Sequence, residues 1–280
     1  MFFLFNLFAI VIGLCLGSFL HCLAWRLYHN EPLRGRSRCP RCQAKIVWYD
    51  NIPVLSFLLL NGRCRHCQEA IASRYFLTEV ITGALFWLAF SFNVQPTTLL
   101  PLLAGQGDGR WLLAVARDWV FIAALVVVFL MDALWLVVAD KFVLGAAAIV
   151  LILNLLLGIS WQNLAVAAVA VVLFFGAQLA LSHGAWIGDG DLYIGALVGL
   201  ALGWPNILVA LMLAYCSGAV WGLWQVATGR KKFQWRNLTK PDQAEIAQAA
   251  LPLGVFLALG SWVALYWGGD LISWYLSLLR

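Results

Sequence analysis

The chain has 280 residues, of which 63% are hydrophobic and 11% are charged, and its mean hydropathy is +0.87. Soluble domains carry about twice this share of charged residues, so the composition excludes an ordinary water-soluble protein and indicates several membrane crossings. The net charge of +5 does not indicate nucleic-acid binding, because most Lys and Arg residues cluster beside apolar segments, where they act as membrane-orientation signals.

The first apolar segment, at about 3–25, predicts a transmembrane helix. No basic region precedes it, so we interpret residues 1–25 as a permanent span rather than a cleaved signal peptide. The segment that follows, 26–74, contains nine Lys and Arg residues, and this excess predicts that it lies on the cytoplasmic side.

Two CxxC motifs, separated by 21 residues, lie inside the segment 26–74. Four thiolates in two such pairs are typical of a closed tetrahedral zinc site with bonds of ~2.3 Å. Disulfides are the alternative, which a reducing cytoplasm disfavours. The segment is therefore predicted to be a small zinc-binding domain whose ligands are Cys39, Cys42, Cys64 and Cys67.

The rest of the chain is predicted to form a membrane core over 75–280. Each further apolar segment is long enough for a span of a ~30 Å hydrocarbon core, except one of 13 residues. The predicted spans are 75–93, 119–139, 142–159, 164–182, 192–204 (the short one), 206–228 and 250–268. We therefore predict an all-α polytopic membrane protein of about eight transmembrane helices, with both termini outside and the basic loops, including 229–249, inside. An irregular outer loop is expected at 94–118, and an interfacial helix at Leu271–Arg280.

Two acidic residues are predicted at membrane depth. Asp132 lies inside the third span and Asp191 opens the short one, and an ionised Asp at mid-membrane costs about 2.5–3.5 kcal/mol. Helix rise places both near the same depth below the cytoplasmic surface. Two carboxylates in one low-dielectric site share a proton, and such a pair can hydrolyse a peptide bond without a metal. A cation site, a proton relay or pairing with buried basic residues is an equally open interpretation at this point.

Glu79 lies one turn into the second span, behind Arg74. We expect either a buried ion pair with Arg74 or contact with a substrate amine or methyl donor. The glycines at 188 and 190 are expected to let the backbone turn sharply and approach a substrate closely.

The chain resembles the type IV prepilin peptidases, a family of bacterial aspartic membrane peptidases. The resemblance covers nearly the whole length of the chain. It is most specific in the segment 26–74 with its four cysteines, which we call the cysteine block. It departs from the family pattern at His21, Ala139 and Tyr193. The residues that carry it are Gly17–Leu20, Arg26, Leu27, Trp48–Ser56, Gly62–Cys67, Arg74, Tyr75, Glu79, Asp132 with Asp140 eight residues later, Gly188–Asp191 and Leu253–Gly260.

The resemblance implies a peptidase of the bacterial inner membrane that acts on the cytoplasmic side. It implies that Asp132 and Asp191 remove the basic leader from type IV prepilins or pseudopilins after a Gly. Many members then methylate the new N-terminal amine with S-adenosylmethionine, and members without the cysteine block exist. The presence of the cysteine block here therefore favours an enzyme with both peptidase and methyltransferase activity, with zinc in the cytoplasmic domain.

Two alternatives are retained. The first is a peptidase without methyl transfer. The second belongs to another class, a transporter or assembly scaffold in which the two aspartates form an ion or proton site and the zinc domain is a docking module.

Overall fold

A computed structural model describes residues 2–94, 109–228 and 252–279, and these are mainly helical. The helices are α1 (Phe2–His29), a 3-10 helix (Trp48–Asn51), α2 (Leu55–Leu59), α3 (Ser73–Asn93), α4 (Arg110–Trp135), α5 (Asp140–Leu156), α6 (Trp161–Ser182), α7 (Gly190–Leu202), α8 (Asn206–Ala227) and α9 (Leu253–Leu278). The chain divides into two compact units, residues 1–127 and 128–280. The predicted basic loop at 229–249 and most of the predicted outer loop at 94–118 lie outside the described residues.

The prediction of an all-α membrane protein is confirmed, with a lower number of full-length spans. Within the described residues, six helices are long and apolar enough to cross a membrane, namely α1, α3, α4, α6, α8 and α9. The other two predicted spans correspond to α5, with 17 residues, and α7, with 13. Helix rise gives α7 a length of only ~20 Å, which is shorter than the hydrocarbon core. The predicted tail helix at 271–280 is the last part of α9 rather than a separate element.

Small residues set the packing of the first unit. A Cβ at Gly13 would lie 2.8 Å from the Cα of Gly83, and a Cβ at Gly17 would lie 2.8 Å from the Cα of Glu79. Residue numbers fall along α3 as they rise along α1, so the two helices are antiparallel and nearly in backbone contact. Both ends of the connecting segment 30–72 therefore emerge on the same side of this helix pair.

The start of α4 differs from the prediction. Residues 110–118 were expected to continue the outer loop because prolines and glycines precede them at 96–109, but α4 begins at Arg110. Asp118 is fully buried there, where it accepts a hydrogen bond from Asn93 (2.6 Å) and pairs with Arg117 (2.6 Å). Because these partners satisfy the carboxylate, Asp118 can be buried inside the helix.

In the second unit, α7 is surrounded by other helices. A Cβ at Gly199 would lie 2.7 Å from the Cα of Ala168 in α6, and one at Gly195 would lie 2.8 Å from the ring of Phe175. On another side, the buried Asn154 of α5 donates to the carbonyl of Leu200 (2.7 Å). Close contacts on several sides hold this short helix, and with it Asp191 at its start, in one position.

Candidate active site and metal centre

Asp132 lies in the last turn of α4 and is held by the main chain of a distant helix. Its side chain is 8% exposed, and its Oδ2 accepts a hydrogen bond from the N–H of Val255 (3.1 Å). The N–H of Gly254 also contributes a hydrogen bond to this carboxylate. Both donors belong to the first turn of α9, whose N–H groups have no partner inside the helix and carry partial positive charge. The geometry therefore fixes the carboxylate and complements a negative charge on it.

Asp191 is the second residue of α7, and its carboxylate closes the turn before that helix. Its Oδ2 accepts from the N–H of Gly188 (3.0 Å), while the carboxylate of Asp189 accepts from the N–H of Gly190 (3.0 Å) as the helix cap. Asp191 is half-buried and Asp189 is exposed. Of Asp189 and Asp191, Asp191 is thus the one inside the fold.

The structure brings Asp132 and Asp191 into one region of the second unit. Their carboxylates are close enough to interact electrostatically. Gly254 shows the same proximity, because a Cβ there would lie 2.9 Å from Oδ2 of Asp132 and 3.2 Å from Cδ1 of Ile194, one turn after Asp191. Two carboxylates so placed in a poorly solvated site can share one proton and act as acid and base.

Gly188 and Gly190 lie on either side of Asp189, where α7 begins. Neither Gly188 nor Gly190 has a positive φ, so the turn does not depend on the left-handed region. A Cβ at Gly190 would instead lie 2.6 Å from a methyl group of Val138. Gly190 therefore permits close packing of α7 on the segment after α4, near Asp132.

The four predicted metal ligands form one cluster. Their sulfurs lie within 4.8 Å of one another, and the Sγ atoms of Cys39 and Cys67 are 3.7 Å apart. A disulfide is ~2.05 Å long, whereas tetrahedral bonds of ~2.3 Å separate sulfurs by ~3.8 Å. The arrangement fits four thiolates around a single ion.

The two CxxC motifs have the same backbone geometry. Gln43 and Gln68 both adopt a positive φ, and their N–H groups donate to the carbonyls of Cys39 and Cys64, at 2.9 and 3.0 Å. We call this repeated CxxC turn a knuckle. In each knuckle, main-chain N–H groups point at the sulfurs.

The sulfurs differ in acidity before a metal binds. The N–H of Cys42, helped by that of Arg41, lowers the pKa of the Cys39 thiol to about 7. The N–H of Glu69 acts in the same direction on Cys67, but desolvation and the three neighbouring sulfurs raise its pKa to about 11. Repulsion between neighbouring thiolates thus opposes ionisation of all four cysteines. A bound divalent cation would offset this repulsion.

Glu79 has a different partner from those expected. It is buried, and its Oε2 accepts from the N–H of Val54 (2.7 Å), which precedes α2 and has a φ of 63°. Among the described residues, no ion pair joins it to Arg74. The carboxylate therefore anchors the cysteine block to α3, and a role for Glu79 toward substrate or methyl donor remains a prediction.

His21, one of the departures from the family pattern, is buried inside α1. Its Nδ1 lies 3.0 Å from Oγ1 of Thr78, and its ring lies 4.0 Å from that of Tyr75. Thr78 donates its own proton to the carbonyl of Arg74 (2.7 Å), so Nδ1 of His21 is the donor in this pair. This contact between α1 and α3 was not predicted, since a single His in an apolar helix carries no signal of its partner.

Sequence reasoning did not predict that Gly254 and Val255 bind Asp132. Pro252 directly before α9 indicates a helix start, and helix starts bind carboxylates. Nothing in the local pattern identifies Asp132, 123 residues earlier, as that carboxylate.

A protein-family model matches the first part of the chain. Residues 11–92 match the family described as the bacterial peptidase A24 N-terminal domain. These residues include most of α1, the four cysteines and nearly all of α3. No solved structure matches the chain significantly.

Three relatives that match over most of the chain are each named prepilin leader peptidase/N-methyltransferase. A protein of Myxococcus xanthus is 34% identical over 89% of this chain and 71% of its own length. One of Aeromonas hydrophila is 30% identical over 97% of this chain and 92% of its own length. One of Bacillus subtilis is 28% identical over 96% of each chain. On this similarity and on the cysteine cluster, the chain belongs to the prepilin leader peptidase/N-methyltransferase family.

Proposed function

We propose that this protein removes the basic leader peptide from type IV prepilins or pseudopilins after a Gly, with Asp132 and Asp191 as its catalytic residues. The observation that supports this most directly is that the two carboxylates lie in one unit, at the end of α4 and the start of α7, close enough to interact electrostatically. The name of the relatives supplies the substrate class.

The carboxylate pair acts by general acid–base catalysis. The ionised member accepts a proton from water as the water oxygen bonds to the carbonyl carbon of the scissile peptide, and the protonated member donates to the carbonyl oxygen. The tetrahedral intermediate collapses when the C–N bond breaks and the leaving nitrogen takes the proton gained from water. The carbonyl then re-forms and returns the other proton to the second carboxyl group. No covalent enzyme intermediate is needed.

The main chain keeps this pair in position. The N–H groups at the start of α9 hold Asp132, and the N–H of Gly188 holds Asp191. Each carboxylate thus uses one oxygen in a fixed hydrogen bond and retains another for water or substrate.

We propose methyl transfer to the new N-terminal amine as a second activity, as the relatives' name indicates. S-adenosylmethionine supplies the methyl group as an electrophile. Zinc is the proposed ion of the four-cysteine cluster, where it would tie the two knuckles together and stabilise the block at 26–74.

We place the protein in the bacterial inner membrane, with the cysteine block and the aspartates toward the cytoplasm. The Lys and Arg residues between α1 and α3 support this orientation. Its parts are then a first span near 1–25, a zinc-binding domain at 26–74 and a peptidase core at 75–280.

The decisive experiment replaces each acid separately in the full-length protein. We expect Asp132→Asn and Asp191→Asn each to abolish leader removal from a co-expressed prepilin, because neither remaining carboxylate can act as both acid and base. Asp140→Asn is the matched control, since Asp140 is exposed at the start of α5. Asp189→Asn tests the competing acid and should retain cleavage.

Mass spectrometry of the pilin reads both activities, since it reports the loss of the leader and the gain of one methyl group. Cleavage that survives both dyad replacements, in proteins that remain folded, would favour a transporter or scaffold instead. Cleavage without methylation by the unaltered enzyme would identify a peptidase alone.

A further inference from the structure

The segment from the 3-10 helix to α2 has an apolar face that no described residue covers. We propose that this face, formed by Trp48, Ile52, Leu55, Leu58 and Leu59, lies in the interfacial layer of the bilayer, and that the cysteine block binds anionic phospholipid there.

The position of α2 follows from two contacts with α3. The N–H of Val54 donates to Glu79 at 2.7 Å, and the ring of Phe57 stacks on that of Phe76 with centroids 5.1 Å apart. Glu79 is six residues into α3, or ~9 Å along the helix axis. Since α3 is long and apolar enough to cross a membrane, α2 begins beside the second turn of a spanning helix rather than beyond its end.

The inner and outer faces of α2 differ sharply in burial. Ser56 is buried and Phe57 packs on α3, whereas Leu55, Leu58 and Leu59 share the opposite face and are exposed. Leu59 is 72% exposed, and Trp48, in the adjoining 3-10 helix, is 77% exposed. A contiguous apolar face of this kind needs a partner, and Trp is enriched at the boundary between lipid and water.

The charge around this face selects the lipid. Between α1 and α3, residues 30–72 contain seven Lys and Arg residues against three Asp and Glu residues. Arg65 pairs with Asp50 and Arg41 with Glu69. The remaining basic residues are exposed and form no ion pair with a described residue; they are Arg34, Arg36, Arg38, Lys45 and Arg63. Clustered basic side chains next to a spanning helix attract anionic headgroups.

Membrane lipid fits this surface better than a protein partner does. Both ends of the segment emerge on one side of the α1–α3 pair, so the segment is held against the surface that the two helices cross. If the proposed function is correct, a basic leader peptide would also meet like charge here. Apolar contact at membrane depth combined with positive charge is the chemistry of an anionic phospholipid layer.

Photocrosslinking in the full-length protein tests the proposal without relying on catalysis. The photoreactive residue p-benzoylphenylalanine replaces Leu59, and, as a control, the exposed polar residue Glu69. Each protein is placed in nanodiscs of phosphatidylcholine alone or with phosphatidylglycerol, irradiated, and analysed by mass spectrometry. We expect lipid adducts at position 59 at several times the yield at position 69, and more of them with phosphatidylglycerol present.

Charge reversal supplies the second arm. The variant Arg34→Glu, Arg36→Glu, Arg38→Glu should reduce the position-59 yield in phosphatidylglycerol to that in phosphatidylcholine alone, with zinc content unchanged. Equal yields at 59 and 69, or adducts only with an added prepilin or a second copy of the chain, would overturn the membrane assignment. A yield of lipid adducts at position 59 that is the same with and without phosphatidylglycerol would overturn the preference for anionic lipid. Leader removal, assayed on the same preparations in detergent, reports separately on the aspartates.

Discussion

The position of the Asp132 carboxylate depends on a glycine, Gly254, in a distant helix. The hydrogen bond from Val255 requires the start of α9 to lie against the acid, and Gly254 permits that approach. A Cβ at this position would come within 2.9 Å of the carboxylate oxygen, so an added methyl group must displace the acid or the helix.

We therefore predict that Gly254→Ala lowers the kcat of leader removal by on the order of 10- to 100-fold, because a small displacement of a catalytic group costs this much. Gly269→Ala in the same helix is the control, since a Cβ there meets nothing within 4 Å. The measurement is steady-state cleavage of a purified prepilin. Equal rates for the two variants would show that the Gly254 contact does not position Asp132.

At the same scale, Asp50 supports the second cysteine knuckle. Nε and Nη2 of Arg65 donate to its carboxylate at 2.7 and 2.6 Å, and these hydrogen bonds lower the pKa of Asp50 below its usual value. A lowered pKa in the folded state adds stability at every pH above the unfolded value of ~3.9, and this stability is lost only as the pH falls through the folded pKa.

Asp50→Asn should accordingly speed zinc transfer from the block to a chelator, by a factor that is the same at pH 6 and pH 8. Glu69→Gln is the matched control, because its ion pair with Arg41 is 3.8 Å long and exposed, and we expect a smaller effect. An effect of Asp50→Asn that appeared at pH 8 and vanished at pH 6 would contradict this assignment.

At the scale of elements, the close packing of α1 on α3 depends on glycine residues, which have no side chain. Gly13, Gly17 and Gly83 let the two backbones approach, and the polar contact of His21 with Thr78 lies in the same interface. Without a hydrophobic driving force between helices in lipid, close packing and such hydrogen bonds hold them together.

Gly13→Ala is predicted to destabilise this unit by about 1–3 kcal/mol, the usual cost of overpacking, since its Cβ would lie 2.8 Å from both Gly83 and Phe86. Gly145→Ala, in open space on α5, should be neutral or slightly stabilising. Thermal unfolding in detergent, followed by tryptophan fluorescence, compares the two. A melting temperature lowered equally in both variants would indicate a general effect of replacing helical glycines.

At the scale of the whole molecule, the two candidate sites belong to different compact units. The four cysteines lie within residues 1–127, and both aspartates lie within 128–280. The proposed activities therefore rest on different parts of the chain.

Replacing Cys39 and Cys42 together by Ser should remove zinc and abolish methyl transfer while leader removal continues. Cys15→Ser with Cys216→Ser is the control, because both of these cysteines lie outside the cluster. Elemental analysis measures zinc, and mass spectrometry of the pilin measures both reactions. Full methylation by a zinc-free protein would separate the cluster from methyl transfer.

The sequence by itself determined the features that depend on composition and spacing. Long apolar segments with few charges must be helices in a membrane, because lipid offers no partner for an unpaired backbone group. The spacing of Cys39, Cys42, Cys64 and Cys67 predicted the cluster that the structure forms, because two residues between thiols suit adjacent corners of a tetrahedron.

Only the tertiary structure decided which distant groups meet. The start of α4 was predicted as loop from the prolines and glycines before it, and local pattern did not show that Asn93 would bind the buried Asp118. Local pattern also did not show that α5, α6 and α9 pack around the short α7. One prediction for Glu79 was an ion pair with Arg74, whereas in the fold it accepts from the N–H of Val54. Asp132 likewise accepts from Val255, 123 residues away. A hydrogen bond depends on distance in space, and nothing in local periodicity encodes the contacts between helices that set that distance.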